Sequence, residues 1–386
     1  MKLINTIIIS VTACLSAGAA DYDAAVRQVL DRGYGLHADS LRMQADIAGL
    51  RAGNTLEGPE AEFEYLWPSR DGEARWSASV SQSFDWPGLY GARRRQAEFE
   101  AASASMVMQS ITLDKALTVK QSIIDIVNAR RRLALYESIG RNLDSIDAMV
   151  ARAYELEDAN ILDRRKMQIA VLDSRREIAS LRADLIALTA SLEGQGAQVG
   201  DDWTTYPMQT MTEPSDDPLD YPEYRVMATS QLAAAEGARV ARREGLPRFA
   251  LGYVHAYEDG THFNGLSVSI GLPSWSTASR RRAAELEAAA VTADGTARFM
   301  TAIAERRALY ESARLLSADL SAYRQLTGDD SYLSLLMRAY LGGELTVIDY
   351  LNEINIFTQA RLSYLDLEYR YNLTLARLNR SRGIGF

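Results

Sequence analysis

Cysteine is nearly absent: Cys14 is the only one in 386 residues. That excludes a disulfide framework and any thiolate metal centre. Histidine is almost as scarce, and His255 and His262 read as too few and too far apart for metal chemistry, so no metal is expected. Met106, Met108, Met149, Met167 and Met337 are scattered and read as packing residues rather than a relay for copper. Beyond residue 20 no stretch holds the ~20 uninterrupted apolar residues of a spanning helix, so any membrane span must be β. The net charge of −9 argues against a nucleic-acid partner. No nucleophile elbow, phosphate loop or zinc-ligand spacing is present, and neither catalysis nor a cofactor is expected.

What the chain does have is two alternating stretches. In 246–273, Phe249, Leu251, Tyr253, His255 and Tyr257 share one face, with Arg248, Ala250, Gly252, Val254 and Ala256 on the other. A turn at Glu258-Asp259-Gly260-Thr261-His262 follows, with the Asp-Gly step that tight turns favour. The return arm sets Leu266, Val268, Ile270 and Leu272 against Ser267, Ser269 and Gly271. Arms of about ten residues, apolar on one side and small or polar on the other, suit a barrel wall between lipid and water. A half-buried soluble sheet gives the same alternation.

The pattern occurs twice. In 61–87, Phe63, Tyr65 and Trp67 share a face, a Ser69-Arg70-Asp71-Gly72-Glu73 turn follows, and Trp76, Ala78, Val80, Gln82, Phe84 and Trp86 alternate with Ser77, Ser79, Ser81, Ser83 and Asp85. Trp67, Trp76, Trp86 and Trp275 lie in or beside these arms, where an interfacial aromatic girdle belongs. Val80-Ser81-Gln82-Ser83-Phe84 matches Leu266-Ser267-Val268-Ser269-Ile270 at a spacing of 186. Arg152-Ala153-Tyr154 matches Arg338-Ala339-Tyr340, and Ile161-Leu162-Asp163 matches Val347-Ile348-Asp349, at the same spacing. The chain reads as an internal duplication.

Residues 1–20 read as a signal peptide: Lys2, an apolar run, then small residues. Ala17-Gly18-Ala19 suits ordinary cleavage, which is favoured, while Val11-Thr12-Ala13-Cys14 resembles a lipobox that would leave Cys14 acylated. The first repeat spans 21–194: a helix from Asp21 to about Gly53, the hairpin closed by Pro87-Gly88, a helix from about Ala92 to Glu155, a break at 157–160, and a helix to Leu192. The stretch 92–155 has no proline and only Gly140; as a helix it is about 95 Å long and reads as coiled coil. Residues 195–222 read as a linker rich in Gly, Asp, Thr and Pro. The second repeat, 223–380, runs helix, hairpin, one long helix from Ser276 to Leu341, a Gly342-Gly343 turn and a return helix from Thr346, with 381–386 as a tail. Arg93-Arg94-Arg95 and Arg280-Arg281-Arg282 sit below the hairpins, as headgroup contacts or as solvated helix starts.

Four strands cannot close a barrel, and open edges in lipid are costly. Copies must assemble, and three give twelve strands around a water-filled lumen that long helices continue as a tube. The fold expected is mainly α with membrane β-hairpins. At this point the chain resembles the TolC-like outer-membrane efflux proteins, over the whole mature sequence and through the tip Gly343-Glu344-Leu345-Thr346-Val347-Ile348-Asp349-Tyr350-Leu351. The resemblance implies a homotrimer in outer-membrane lipid, with a helical periplasmic tunnel docked to a periplasmic adaptor (a membrane fusion protein) and an inner-membrane efflux pump, passing small molecules or metal ions. It implies a channel mouth in which Asp349 matches a mouth aspartate, Tyr340 the gate tyrosine and Asp163 its first-copy counterpart, beside Glu344. Asn352 stands where some members carry a second aspartate, and Leu345 where some carry a gate arginine. A simpler role for Asp163 and Asp349 is starting a helix. Rival architectures are a periplasmic adaptor, a periplasmic coiled-coil protein with soluble hairpins, and the exit duct of a protein-secretion system.

Overall fold

Asp21 caps the first described helix, its carboxylate accepting the Ala24 N–H at 2.8 Å. The computed structural model describes residues 21–67, 74–272, 276–327 and 331–386, with backbone alone for 325–327 and 331. The expected signal peptide with Cys14, the 69–73 turn and Trp275 lie outside the described residues.

The order is α1 (Tyr22–Arg32), α2 (Tyr34–Ala52), β1 (Glu60–Leu66), β2 (Arg75–Phe84), α3 (Pro87–Glu155), α4 (Ile161–Glu193), α5 (Pro222–Arg243), β3 (Arg248–Glu258), β4 (Thr261–Gly271), α6 (Thr277–Thr327), α7 (Ser331–Leu341) and α8 (Val347–Leu378). Helix, hairpin, long helix, turn and return helix thus occur twice. Among the described residues no helix is long and apolar enough to cross a membrane.

Three boundaries differ from expectation. The single helix from Asp21 to Gly53 is two, because the chain turns extended at Gly33 (ψ 114°). A Cβ there would lie 2.3 Å from the Val29 carbonyl oxygen, so only glycine closes this helix end. The long helix begins at Pro87 rather than near Ala92: proline takes the first helical position, where its missing N–H is not needed. With 69 residues, α3 is about 100 Å long. The expected helix from Ser276 to Leu341 is described as α6 and α7, with 328–330 outside the described residues.

The expected linker is a packed strap. Trp203 is 2% exposed in a core with Tyr22, Val26, Val29, Val119, Ile123 and Leu192. Its backbone is held from below by Arg130, whose Nη1 donates to the Gly200 and Trp203 carbonyls at 2.5 and 3.3 Å. The Tyr22 hydroxyl donates to the Thr205 carbonyl, and burial raises that phenol's pKa. A second core lies at the far end of α3, where Ile139, Leu143, Ile146 and Val150 meet Met167 and Val171 of α4, Leu333 and Leu336 of α7, and Tyr350, Ile354 and Phe357 of α8.

Candidate functional site

The two hairpins form one antiparallel sheet in the order β1-β2-β3-β4, joined through β2 and β3 by pairs such as Val80 with Tyr253 and Phe84 with Phe249. This register merges the two apolar faces into one. Phe63, Trp76, Val80, Phe84, Phe249, Leu251, Tyr253, Leu266, Val268 and Ile270 share it, and Leu266 is 87% exposed. So large an uncovered apolar face on a single chain marks a surface for lipid or another protein. Trp76 lies at the turn end of β2, and Trp86 stands two residues beyond the other end of that strand, just before α3. Trp67, beside Tyr65, lies at the turn end with Trp76.

The opposite face carries Ser77, Ser79, Ser81 and Ser83 of β2, Ala250, Gly252 and Val254 of β3, and Ser267 and Ser269 of β4. It also carries Glu60, Glu62 and Glu64 of β1, opposite Ser81, Ser79 and Ser77. These three glutamates are not among the residues expected from the sequence, although their alternation with Phe63 and Tyr65 is plain in Glu60-Ala61-Glu62-Phe63-Glu64-Tyr65. β1 and β4 are the sheet's two edges.

At the joint between sheet and helices the first arginine triplet is engaged within the chain. Arg93 pairs with Asp85 at 2.7 Å and Glu244 at 3.1 Å, Arg94 with Glu98 at 3.0 Å, and Arg95 with Glu236 at 3.5 Å. Arg248 reaches Asp85 at 3.0 Å from β3, so one carboxylate ties both hairpins to α3.

One expectation fails in the sheet. The β3–β4 turn is only Asp259-Gly260, with φ of 46° and 77°, the left-handed pair that a two-residue hairpin turn requires. His262 is therefore the second residue of β4, opposite Tyr257, and lies diagonal to His255 on the same face. Nδ1 of His262 is 3.3 Å from Nε2 of His255, so the two histidines are not far apart.

The other candidate residues gather at the helical turns. At the first, Leu156, Glu157 and Asp158 donate to the carbonyls of Arg152, Tyr154 and Ala153 at 3.1, 3.1 and 2.8 Å. At the second, Gly342, Gly343 and Glu344 donate to Arg338, Tyr340 and Ala339 at 2.9, 3.1 and 3.0 Å. Each is a Schellman closure with one left-handed residue, Glu157 (φ 63°) and Gly343 (φ 74°). Asn160 then caps α4 through the Asp163 N–H at 2.9 Å. Thr346 caps α8 through the Asp349 N–H at 3.2 Å, and the Asp349 carboxylate returns to the Thr346 N–H at 3.3 Å and hydroxyl at 2.6 Å, a complete capping box.

Asp349 is thus a helix cap whatever else it does. Asp163 and Tyr340 face each other across a groove lined by Asn160, Leu345 and Thr346. Burial, and then Asp163, raise the Tyr340 pKa. Glu344 and Asn352 are exposed. The residue that sequence reasoning missed is Tyr350. It is fully buried, with its ring 5.5 Å from Tyr340 and its hydroxyl donating to Asn142 Oδ1 of α3. Its signal was in the tip motif, three residues after Val347.

No family model matches this chain, and no curated protein does. Solved structures do. A membrane protein from Pseudomonas aeruginosa superposes with a TM-score of 0.78 at 17% identity, over 95% of this chain and 94% of that one. CusC, solved in crystal structures concerned with folding and transmembrane channel formation, gives 0.76 at 16% identity over 94% and 92%. The CmeC outer-membrane channel of Campylobacter jejuni gives 0.74 at 14% identity over 95% and 86%. The chain has the fold of these three solved proteins.

Proposed function

We propose that three copies of this chain form an outer-membrane channel: a twelve-stranded barrel continued by a periplasmic helical tunnel. It passively exports small molecules or metal ions delivered by an inner-membrane pump through a periplasmic adaptor. The observation that carries this reading is the sheet itself. It has an uncovered apolar face, a serine-rich opposite face and two edges that a single chain leaves to be paired. Joining β4 of each copy to β1 of the next satisfies both edges at once, and four strands per chain reach an even, closable count in three copies. The likeness in fold to outer-membrane channels supports the same reading. The serine face with Glu60, Glu62 and Glu64 then lines the lumen, and the two helical turns form the periplasmic mouth, with Asp349, Asp163, Tyr340, Glu344 and Asn352 around it.

Detergent-extracted protein should run as a heat-modifiable trimer and conduct ions in planar bilayers. Arginine at Val268 or Ile270 should cost about 2–4 kcal/mol near the midplane and deplete the trimer, whereas arginine at Ser269 should be tolerated. Equal loss from both faces would sink the barrel reading. Asp349→Ala should lower cation selectivity, because three carboxylates around a narrow mouth concentrate cations. Unchanged selectivity would leave Asp349 a helix cap only.

A further inference from the structure

We propose that His255 and His262 form a binding site for a divalent transition-metal ion at the turn end of the sheet. Two nitrogens each bonded to one ion at 2.0–2.1 Å stand about 3.3 Å apart at a tetrahedral angle and about 2.9 Å apart at the right angle of a square site. His262 Nδ1 and His255 Nε2 are 3.3 Å apart, the first value and a small ring movement from the second. His255 is held before any ion arrives. The second nitrogen of His255 lies 2.7 Å from Asn264 Oδ1, which also accepts from the Tyr253 hydroxyl at 2.6 Å. Metal-bound histidines characteristically donate their other N–H to a carbonyl in this way, which fixes the tautomer and aims the free lone pair. The Asn264 carbonyl thus leaves His255 Nε2 as the acceptor. Trp76 packs 5.4 Å from His255, and Tyr257 packs 5.1 Å from His262, which restricts both rings.

The rings are tilted by only 19° and share a hydrogen bond edge to edge. The ion takes the place of that bridging proton. His262, the more exposed of the two, turns its ring, and its proton moves from Nδ1 to Nε2, so both ligands stay neutral and no net proton is released. Two imidazoles without a carboxylate select copper(II), nickel(II) or zinc(II) over calcium or magnesium. Water fills the remaining positions from the exposed side. The site lies beside Asp259-Gly260, at the end of the sheet away from the helices, and it stands whether or not the channel reading holds.

The experiment is copper(II) binding to the full-length protein in detergent, purified without a histidine tag, followed by calorimetry and electron paramagnetic resonance. His37, the only other histidine, provides the control. One copper ion per chain should bind with micromolar affinity and show coupling to two imidazole nitrogens. His262→Gln, at an exposed position, should weaken binding at least tenfold and remove one nitrogen coupling. Asn264→Ala should weaken it less, and His37→Ala should leave it unchanged. Wild-type binding no tighter than that of the His255→Gln/His262→Gln double variant would overturn the proposal, as would loss of binding on His37→Ala.

Discussion

At the first helical turn the chain reverses through Glu157 and at the second through Gly343, with the same three backbone hydrogen bonds and the same cap-to-third-residue contact in each. What differs is how each turn is anchored behind that frame. In the first, α4 follows α3, and Arg164 of α4 pairs with Asp147 of α3 at 2.6 Å on a half-exposed surface. The position 186 residues on from Arg164 is Tyr350, which is buried against α3 instead. At this matched position the second turn inserts an aromatic side chain into the core against α3 where the first makes an ion pair, while both return helices also bury apolar residues there. Identical local geometry is compatible with opposite anchoring, because the turn is set by backbone hydrogen bonds and the anchor by what faces α3.

The largest test of that contrast is truncation of the anchors. Tyr350→Ala removes a buried ring and should cost about 3–5 kcal/mol, read as raised hydrogen exchange through 339–357 and a lower Tm. Arg164→Ala should cost below about 1 kcal/mol, as expected for a partly exposed ion pair. Equal effects would mean that the two turns are anchored alike.

Next are the left-handed residues. Gly343→Ala meets no atom within 4 Å, so its cost is conformational alone, about 1–2 kcal/mol. Glu157→Gly should stabilise the first turn by roughly 0.5 kcal/mol, relief of the left-handed strain outweighing the added freedom of the unfolded chain. Thermal unfolding of both variants checks the signs, which should be opposite.

The smallest effect is alkaline. Burial, then Tyr340, push the Tyr350 pKa up to about 12 from its ordinary value of 10. A folded-state pKa raised in this way means that the buried phenol favours its neutral form. Its contribution to stability is whole below pH 10 and is lost as pH rises from 10 through about 12. Tyr350→Phe should remove that part of the alkaline decline, measured by unfolding between pH 9 and 12, while the first turn is unaffected.

Much of this was legible beforehand. Both hairpins fell within a few residues of their strands, because period-two alternation between turn residues is a local property. The breaks at 157–160 and 342–343 were legible for the same reason. The Asp349 cap was legible too, as the simpler of its two readings, and the capping box bears it out without deciding the mouth role. The glutamates of β1 were visible and simply passed over.

Taken alone, the sequence determined the broad order of helices and hairpins, the two faces of each hairpin, the carboxylates Asp163 and Asp349 at the starts of the return helices, and the matched segments 186 residues apart. All of these depend on side chains within a turn or two of one another, where propensity, capping and periodicity act. Only the tertiary structure decided that β2 pairs with β3, that residues 197–206 pack against α1 and α3 around Trp203, that Tyr350 is buried behind the second turn, and that His255 meets His262. Those contacts join distant segments or turn on strand register, which a shift of one residue would undo. They are settled by which faces can be buried together, and that is a property of the assembled chain.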